Sequence, residues 1–283
     1  MHNIFFFTDI HGVRPLFDVI MNYCKEQDPE ATIIFGGDAM DRGNDGYAIM
    51  KELLDNPKVV YLMGNHEDMF CKAAREIKDK IEFSQPLVRE EVKGEIYWCR
   101  GDDYQYSNIQ DSLHNGGLET LTDWVMDGMP MNLIEKVENL PRTFSYENKD
   151  FCHAGGVYRT FKEGADAEYN NTKMDEYTAM SLIWSRTGLN IGWAPNRIAI
   201  FGHTPIQFIP EYTELEYPED FGVRPVMYEC YTLPKMTGRK LDMDTGAVFT
   251  GIAYVLNVLT MQAQGFKLNE NNSNVEKIEC IQF

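Results

Sequence analysis

Ile34-Phe35-Gly36-Gly37-Asp38-Ala39-Met40-Asp41-Arg42-Gly43 decides how the chain is read. An apolar run stops at two glycines; two carboxylates three residues apart follow, then an arginine and another glycine. A buried strand ending in a Gly-Asp turn puts a charged side chain at the carboxyl edge of a sheet, where open α/β sheets hold their ligands. The same pattern, an apolar strand and then glycine with an acid, amide or histidine, recurs at Thr8-Asp9-Ile10-His11-Gly12, Gly64-Asn65-His66-Glu67, His153-Ala154-Gly155-Gly156 and Gly202-His203-Thr204-Pro205.

Around these turns the spacing predicts alternating elements. Ile4–Phe7, Thr32–Phe35 and Val59–Met63 read as strands. Between them, Leu16, Val19, Ile20 and Tyr23 share one helical face, as do Tyr47, Met50 and Leu54; Asp28-Pro29 and Asn56-Pro57 end the two helices. Strand, helix, strand, helix, strand within sixty residues implies βαβ units and a parallel sheet. Residues 69 to 140 read as mostly helical, a cap over the sheet. Thr143–Tyr146 and Phe151-Cys152 read as a hairpin, 157 to 196 as irregular with Ile183-Trp184-Ser185-Arg186 as a short buried piece, and Arg197–Phe201 as a strand. Further strands are expected at Val226–Tyr228, Leu241–Asp244, Ile252–Leu259 and Val275–Ile281. With no repeat or linker in sight, and one shared set of acid and histidine turns, residues 1–283 read as a single α/β (α+β) domain with a helical insertion at about 69–140.

The chain has 283 residues, enough to bury a large core. Its net charge of -18 disfavours binding a nucleic-acid backbone, which relies on lysine and arginine contacts to phosphate, and is compatible with attracting metal cations. The plain reading of that charge is solubility. The six cysteines form no CxxC pair and are expected to be reduced thiols. Met1-His2-Asn3 leads straight into a strand-like run with no basic segment, so no signal sequence is expected, and no run reaches the roughly 18 apolar residues needed to span a membrane. The expectation is a cytoplasmic protein without a membrane partner.

His11, His66, His153 and His203 each lie within two residues of a glycine just after a strand-like run. A single histidine so placed is most often satisfied in a turn; four, joined by Asp9, Asp38 and Asn65, supply imidazole, carboxylate and amide oxygen on one sheet edge. Mixed N/O ligation without thiolate suits Mn, Fe, Zn or Ni. The groups are too many for one ion, and two ions about 3.5–4 Å apart clamp a phosphate and generate hydroxide for in-line attack. His114 reads as a helix-end turn and His2 is terminal. Tyr97, Trp98, Tyr104 and Tyr106 read as cap packing, with a peptide or base groove as the alternative.

In order and spacing, the five turns resemble the signature motifs of the PPP-type serine/threonine phosphatases, within the calcineurin-like metallophosphoesterases. Ile183–Arg186 and Asp244-Thr245-Gly246-Ala247-Val248-Phe249 are similar to the bacterial and bacteriophage branch, of the lambda phosphatase kind. The resemblance spans about residues 3 to 260 and implies a four-layer α/β/β/α sandwich. Carried over motif by motif, it implies Asp9 and His11 on a first metal, Asp38 bridging, and Asn65, His153 and His203 completing a second. Manganese is the first choice, with iron, zinc or nickel as alternatives. Thr8 stands where the family has glycine, which tightens the turn but removes no ligand. The acidic stretch Glu211, Glu214, Glu216, Glu219 and Asp220 has no counterpart in the pattern.

The implied reaction is hydrolysis of phosphoserine and phosphothreonine, with phosphotyrosine as an extension, by direct attack of a metal-bridging hydroxide. His66 would be the general acid, with Asp41 orienting its ring. Arg42, Arg186 and Asn65 would hold the phosphoryl oxygens, the guanidinium fork matching phosphate geometry. The substrate would be a phosphoprotein or a small phosphoester. The rivals are hydrolysis of diadenosine tetraphosphate or another nucleotide on the same fold, and a silent binding module, which would lack a ligand or the acid; none is missing.

Overall fold

The computed structural model describes residues 2–82, 88–92, 95–99, 107–187, 189, 191–209, 223–228, 237–269 and 274–283. Strands β1 (Ile4–Phe7), β2 (Thr32–Phe35) and β3 (Val59–Tyr61) pair in parallel, with helices α1 (Arg14–Gln27) and α2 (Gly46–Asp55) between them. Antiparallel strands β11 (Ile252–Asn257), β12 (Gln262–Leu268) and β13 (Val275–Gln282) extend this sheet on the far side of β1, in the order β13-β12-β11-β1-β2-β3. A second sheet has the order β6-β7-β8-β10-β9, from β6 (Thr143–Tyr146), β7 (Lys149–Ala154), β8 (Ile198–Gly202), β9 (Val226–Tyr228) and β10 (Arg239–Asp242). Its three inner strands run parallel, and the edge strands β6 and β9 antiparallel.

Side-chain alternation stacks the two sheets. Phe6 and Ile34 join Phe151, Ile200 and Leu241 in a cluster between the sheets, and the Phe6 and Phe151 rings lie 5.4 Å apart. Phe5, Phe7, Ile33 and Phe35 point the other way, where Phe7 meets Phe17 of α1 at 6.2 Å. Both faces are buried, so these strands read as unbroken apolar runs rather than an alternating pattern. Helices cover the outer faces, giving the expected four layers.

Several segments differ from expectation. Residues 157 to 196 are only partly irregular: they hold α7 (Tyr158–Tyr169) and α8 (Glu176–Trp184), and of the expected buried piece Ile183–Arg186 the first two residues end α8 while Arg186 is exposed. Only Thr160, Phe161 and Gly164 of α7 are buried, so the helix has almost no apolar stripe to read. Asp175 caps α8, its carboxylate accepting from Thr178 N at 3.0 Å. Strand β12 was not foreseen; its sequence is broken by polar residues and Gly265. Strand β10 starts two residues early, leaving Met243 and Asp244 beyond its end. The 69–140 stretch holds the rest of α3 (Asn65–Glu82), then α4 (Asn108–His114), α5 (Leu118–Met126) and α6 (Met131–Glu138). It also contains an antiparallel pair, β4 (Val88–Val92) and β5 (Glu95–Cys99), where helix was expected. His114 does end a helix. Tyr104, Tyr106 and the acidic residues from Glu211 to Asp220 lie outside the described residues, as do the side chains of Tyr97 and Trp98. No described helix is long and apolar enough to cross a membrane.

Candidate active site

The site forms where β1, β2, β3, β7 and β8 end. Asp9 and His11 follow β1, Asp38 and Asp41 follow β2, Asn65 and His66 open α3, His153 is the penultimate residue of β7, and His203 follows β8. Asp9, His11, Asp38, Asp41, Arg42 and His203 all have positive φ, between 45° and 72°. Side-chain-bearing residues avoid that region at a cost of roughly 1–3 kcal/mol each, so the surrounding structure must impose it. Backbone bonds across the loops do so: Asp9 N donates to Gly37 O at 3.1 Å, His11 N to Asp38 O at 3.1 Å, and Gly43 N to His11 O at 3.0 Å. Gly12 and Gly43 lie so close that a Cβ on Gly12 would fall 2.7 Å from the Gly43 carbonyl, so only glycine fits there.

Asp9, His11, Asp38, Asp41, Asn65, His66, His153 and His203 come together and are buried. His11 Nδ1 donates to Met40 O at 2.8 Å and His153 Nδ1 to Gly36 O at 2.8 Å, which turns each Nε2 into the site. Asn65 Oδ1 lies 3.0 Å from His153 Nε2 and 2.8 Å from His203 Nδ1. Asp38 Oδ1 is 3.4 Å from His153 Nε2, and Asp38 Oδ2 is 3.6 Å from His11 Nε2. His66 Nδ1 pairs with Asp41 Oδ2 at 2.7 Å.

Arg42 reaches across the site. It donates from Nη1 to His11 Nε2 at 2.6 Å and from Nη2 to His66 Nε2 at 2.9 Å. Arg186 is exposed on the loop after α8, close enough to His203 to repel its charged form. Arg42 and Arg186 are the two expected site residues outside the buried cluster.

Electrostatics separate the imidazoles. Burial, then the neighbouring charges of His66 and Arg42, hold His11 well below the usual histidine range; burial and His153 do the same to His203. Burial also opposes charge on His153, but Asp38 and Asp9 outweigh it and push the ring up to about 10. At His66 burial is again opposed, by Asp38 and by the hydrogen bond to Asp41, and the net direction is upward. Asp9 is raised to about 6 by burial, against His153.

The donor set fits divalent cations. Asn65 Oδ1, His153 Nε2 and His203 Nδ1, an amide oxygen and two imidazole nitrogens, face one another within 3.0 Å of the oxygen, the N/O donor chemistry that divalent cations take. Among the described residues, two groups of histidine and acid side chains have ligand atoms within 4.8 Å of one another: His11, Asp38 and His66, and Asp38, His153 and His203. Asp38 is common to both. By distance alone His66 falls in the first group and Asp9 in neither. Asp9 is instead oriented by Thr8 Oγ1, which donates to its Oδ2 at 2.6 Å, and by His203 N at 3.1 Å.

One residue was quoted in the sequence pattern without a role. Glu67 is fully buried, and its carboxylate accepts four hydrogen bonds. Asp38 N and Gly64 N donate to Oε2 at 2.9 and 3.0 Å, and Ala39 N and Tyr61 OH to Oε1 at 2.9 and 2.6 Å. The signal was available: an acid three residues after Gly64, the glycine that precedes α3, reaches back to the helix entrance, as in a capping box.

A family model for calcineurin-like phosphoesterases matches residues 2–226. No curated protein sequence matches the chain. The cold-active protein-tyrosine phosphatase of a psychrophilic Shewanella species superposes with a TM-score of 0.51 at 13% identity, covering 99% of this chain and 81% of that one. A mutant of a cold-active protein tyrosine phosphatase gives 0.50 at 13% identity with the same coverage. A provisionally assigned diadenosine tetraphosphatase gives 0.46 at 14% identity, covering 98% and 93%. At such identities the two tyrosine phosphatases speak for the fold. The match over residues 2–226 takes in all five turns that build the buried cluster, and on it the chain belongs to the calcineurin-like phosphoesterase family of phosphoester-hydrolysing enzymes.

Proposed function

We propose that the protein is a dinuclear-metal-dependent phosphomonoesterase of the bacterial and phage PPP-type branch, acting on phosphoserine and phosphothreonine and also on phosphotyrosine. The observation that carries this reading is the buried Asp41–His66 pair at 2.7 Å beside the ligand cluster. A positioned acid of this kind serves a leaving group that must be protonated.

In this reading Asp9, His11 and Asp38 would hold one ion, and Asp38, Asn65, His153 and His203 the other, manganese being the first choice. When bound, the ions supply an activated water and neutralise charge on the phosphoryl group. The chain's own residues do the rest. Arg42 and Arg186 bind phosphoryl oxygens together with Asn65, and the phosphate competes for the guanidinium donors that here meet His11 and His66. That competition frees His66 Nε2 to carry a proton towards the ester oxygen. Asp41 keeps Nδ1 in its donor form and stabilises the charged ring. The products are inorganic phosphate and the free hydroxyl. The described cysteines Cys24, Cys71, Cys152 and Cys280 are free thiols, which supports a cytoplasmic setting.

The test is hydrolysis of para-nitrophenyl phosphate, a phosphothreonine peptide and diadenosine tetraphosphate by metal-stripped protein, with and without Mn²⁺. The expected outcome is Mn²⁺-dependent release from the first two. Cleavage of the dinucleotide alone, or release that ignores the metal, overturns the proposal.

A further inference from the structure

Phe208 and Phe249 are 63% and 60% exposed, and their rings meet edge to face with centres 6.1 Å apart. Single exposed apolar side chains need no explanation. These two touch each other, and the Arg42 guanidinium carbon lies 5.6 Å from the centre of the Phe249 ring.

Both are carried by loops of the site. Phe208 closes the 3₁₀ turn Ile206–Phe208, immediately after His203-Thr204-Pro205. Phe249 sits on α9 (Ala247–Thr250), just past Asp244-Thr245-Gly246. The two loops are tied together where Ile206 N donates to Asp244 O at 3.1 Å. The α9 turn is itself fixed: Gly246 N donates to Asp244 Oδ1 at 2.8 Å, and Thr250 Oγ1 to Thr245 O at 3.0 Å. Two aromatic side chains are therefore held in solvent on a stiff backbone, beside a phosphate-binding arginine. A cavity of about 760 Å³ opens next to them, bordered by Gly12, Arg14, Gly43, Phe249 and Lys267.

We infer that Phe249, with Phe208 at its edge, determines specificity for an aromatic leaving group: it receives the ring of an aryl phosphate monoester such as a phosphotyrosyl side chain, while the phosphate lies on Arg42. This inference rests on the phosphomonoesterase reading. A ring bonded directly to the ester oxygen reaches Phe249 while its phosphate stays on Arg42, because the two protein groups are neighbours. A base held a whole sugar away from the phosphate overshoots that spacing. Seryl and threonyl esters offer no flat face to the pair. Aromatic rings gain from offset or edge-to-face contact beyond simple burial, and the polypeptide around the phosphotyrosine would continue into the cavity.

The test compares phosphotyrosine and phosphothreonine peptides of one sequence on the Mn²⁺-loaded enzyme, wild type against Phe249→Ala, Phe249→Leu and Phe249→Tyr. The measured quantity is the ratio of kcat/KM values, so intrinsic leaving-group reactivity cancels between variants. The tyrosine-over-threonine ratio is expected to fall about three- to tenfold in Phe249→Ala and Phe249→Leu and to survive in Phe249→Tyr. Calorimetric binding of phenylphosphonate against methylphosphonate should show the same loss without turnover. A ratio unchanged in Phe249→Ala overturns the inference, as does a wild type that cleaves only the threonine peptide; both leave the phosphomonoesterase reading intact. A wild type that cleaves neither peptide overturns that reading and this inference with it.

Discussion

Asp9 is held by the residue before it. The Thr8 hydroxyl donates to Asp9 Oδ2 at 2.6 Å, so the departure from glycine at this position adds a partner to an expected metal ligand. Hydrogen-bond partners of ligands typically tune metal affinity 10- to 100-fold. Thr8→Val is expected to weaken Mn²⁺ binding by about tenfold in a titration, with Thr8→Ser restoring it; equal affinities for wild type and Thr8→Val would remove the role. His66 makes the opposite case, a residue inside a ligand-like group that is assigned to proton transfer. His66→Asn is expected to keep its metal content by elemental analysis and to lose roughly 10²- to 10⁴-fold in kcat. Near-wild-type turnover, or loss of metal, would contradict the assignment. At this scale the residue types were legible, because a histidine beside a glycine after an apolar run is visible in one dimension. Whether a ring nitrogen is a donor or a lone pair was not: that depends on carbonyls such as Met40 O and Gly36 O, which other segments bring in.

Loops tied to helix ends hold the ligands at the scale of elements. Helix α3 begins at Asn65, so Asn65 and His66 occupy its first turn, and Glu67 clamps that turn to the loop after β2. The four bonds to Glu67 link α3, Tyr61 of β3 and the backbone of Asp38. A buried carboxylate near a helix N-terminus is favourable, and stripping donors of their acceptor inside the protein is costly. Glu67→Gln replaces one acceptor oxygen with an NH₂ group that faces backbone N–H donors. It is expected to cost about 1–3 kcal/mol in denaturant unfolding and to weaken metal binding through Asp38. A variant of unchanged stability would show that the clamp carries nothing. Elements with a strong apolar stripe, such as α1 and α2, were legible. Helix α7 and strand β12 were not, since α7 buries few residues and β12 draws its stability from pairing with β11 and β13.

Across the whole molecule, buried acids and histidines from both sheets face one another, and a cation bound among them would join the two sheet edges. A ligand that binds only the folded state stabilises it by mass action, about 2.7 kcal/mol at one hundred times Kd. Saturating Mn²⁺ is therefore expected to raise Tm, and stripping the metal to lower it. Asp38→Asn removes the carboxylate common to both candidate groups. It is expected to abolish both the Mn²⁺-induced rise in Tm and the activity; an Asp38→Asn protein that is fully metallated and active would refute the bridging role.

The sequence alone determined the parallel βαβ start and the residues that meet at the sheet edges; the four-layer sandwich came from the resemblance of the five turns to a known family. The first two follow from short-range facts: apolar runs long enough for strands, glycines where a turn must be tight, and polar groups placed just beyond. Tertiary structure alone decided the six left-handed backbone conformations of the site, the reach of Arg42 to His11 and His66, the Glu67 clamp, and the exposed pairing of Phe208 with Phe249. Each of these joins residues from separate elements or sets a dihedral against its local preference, and such terms exist only once the elements that carry them have come together.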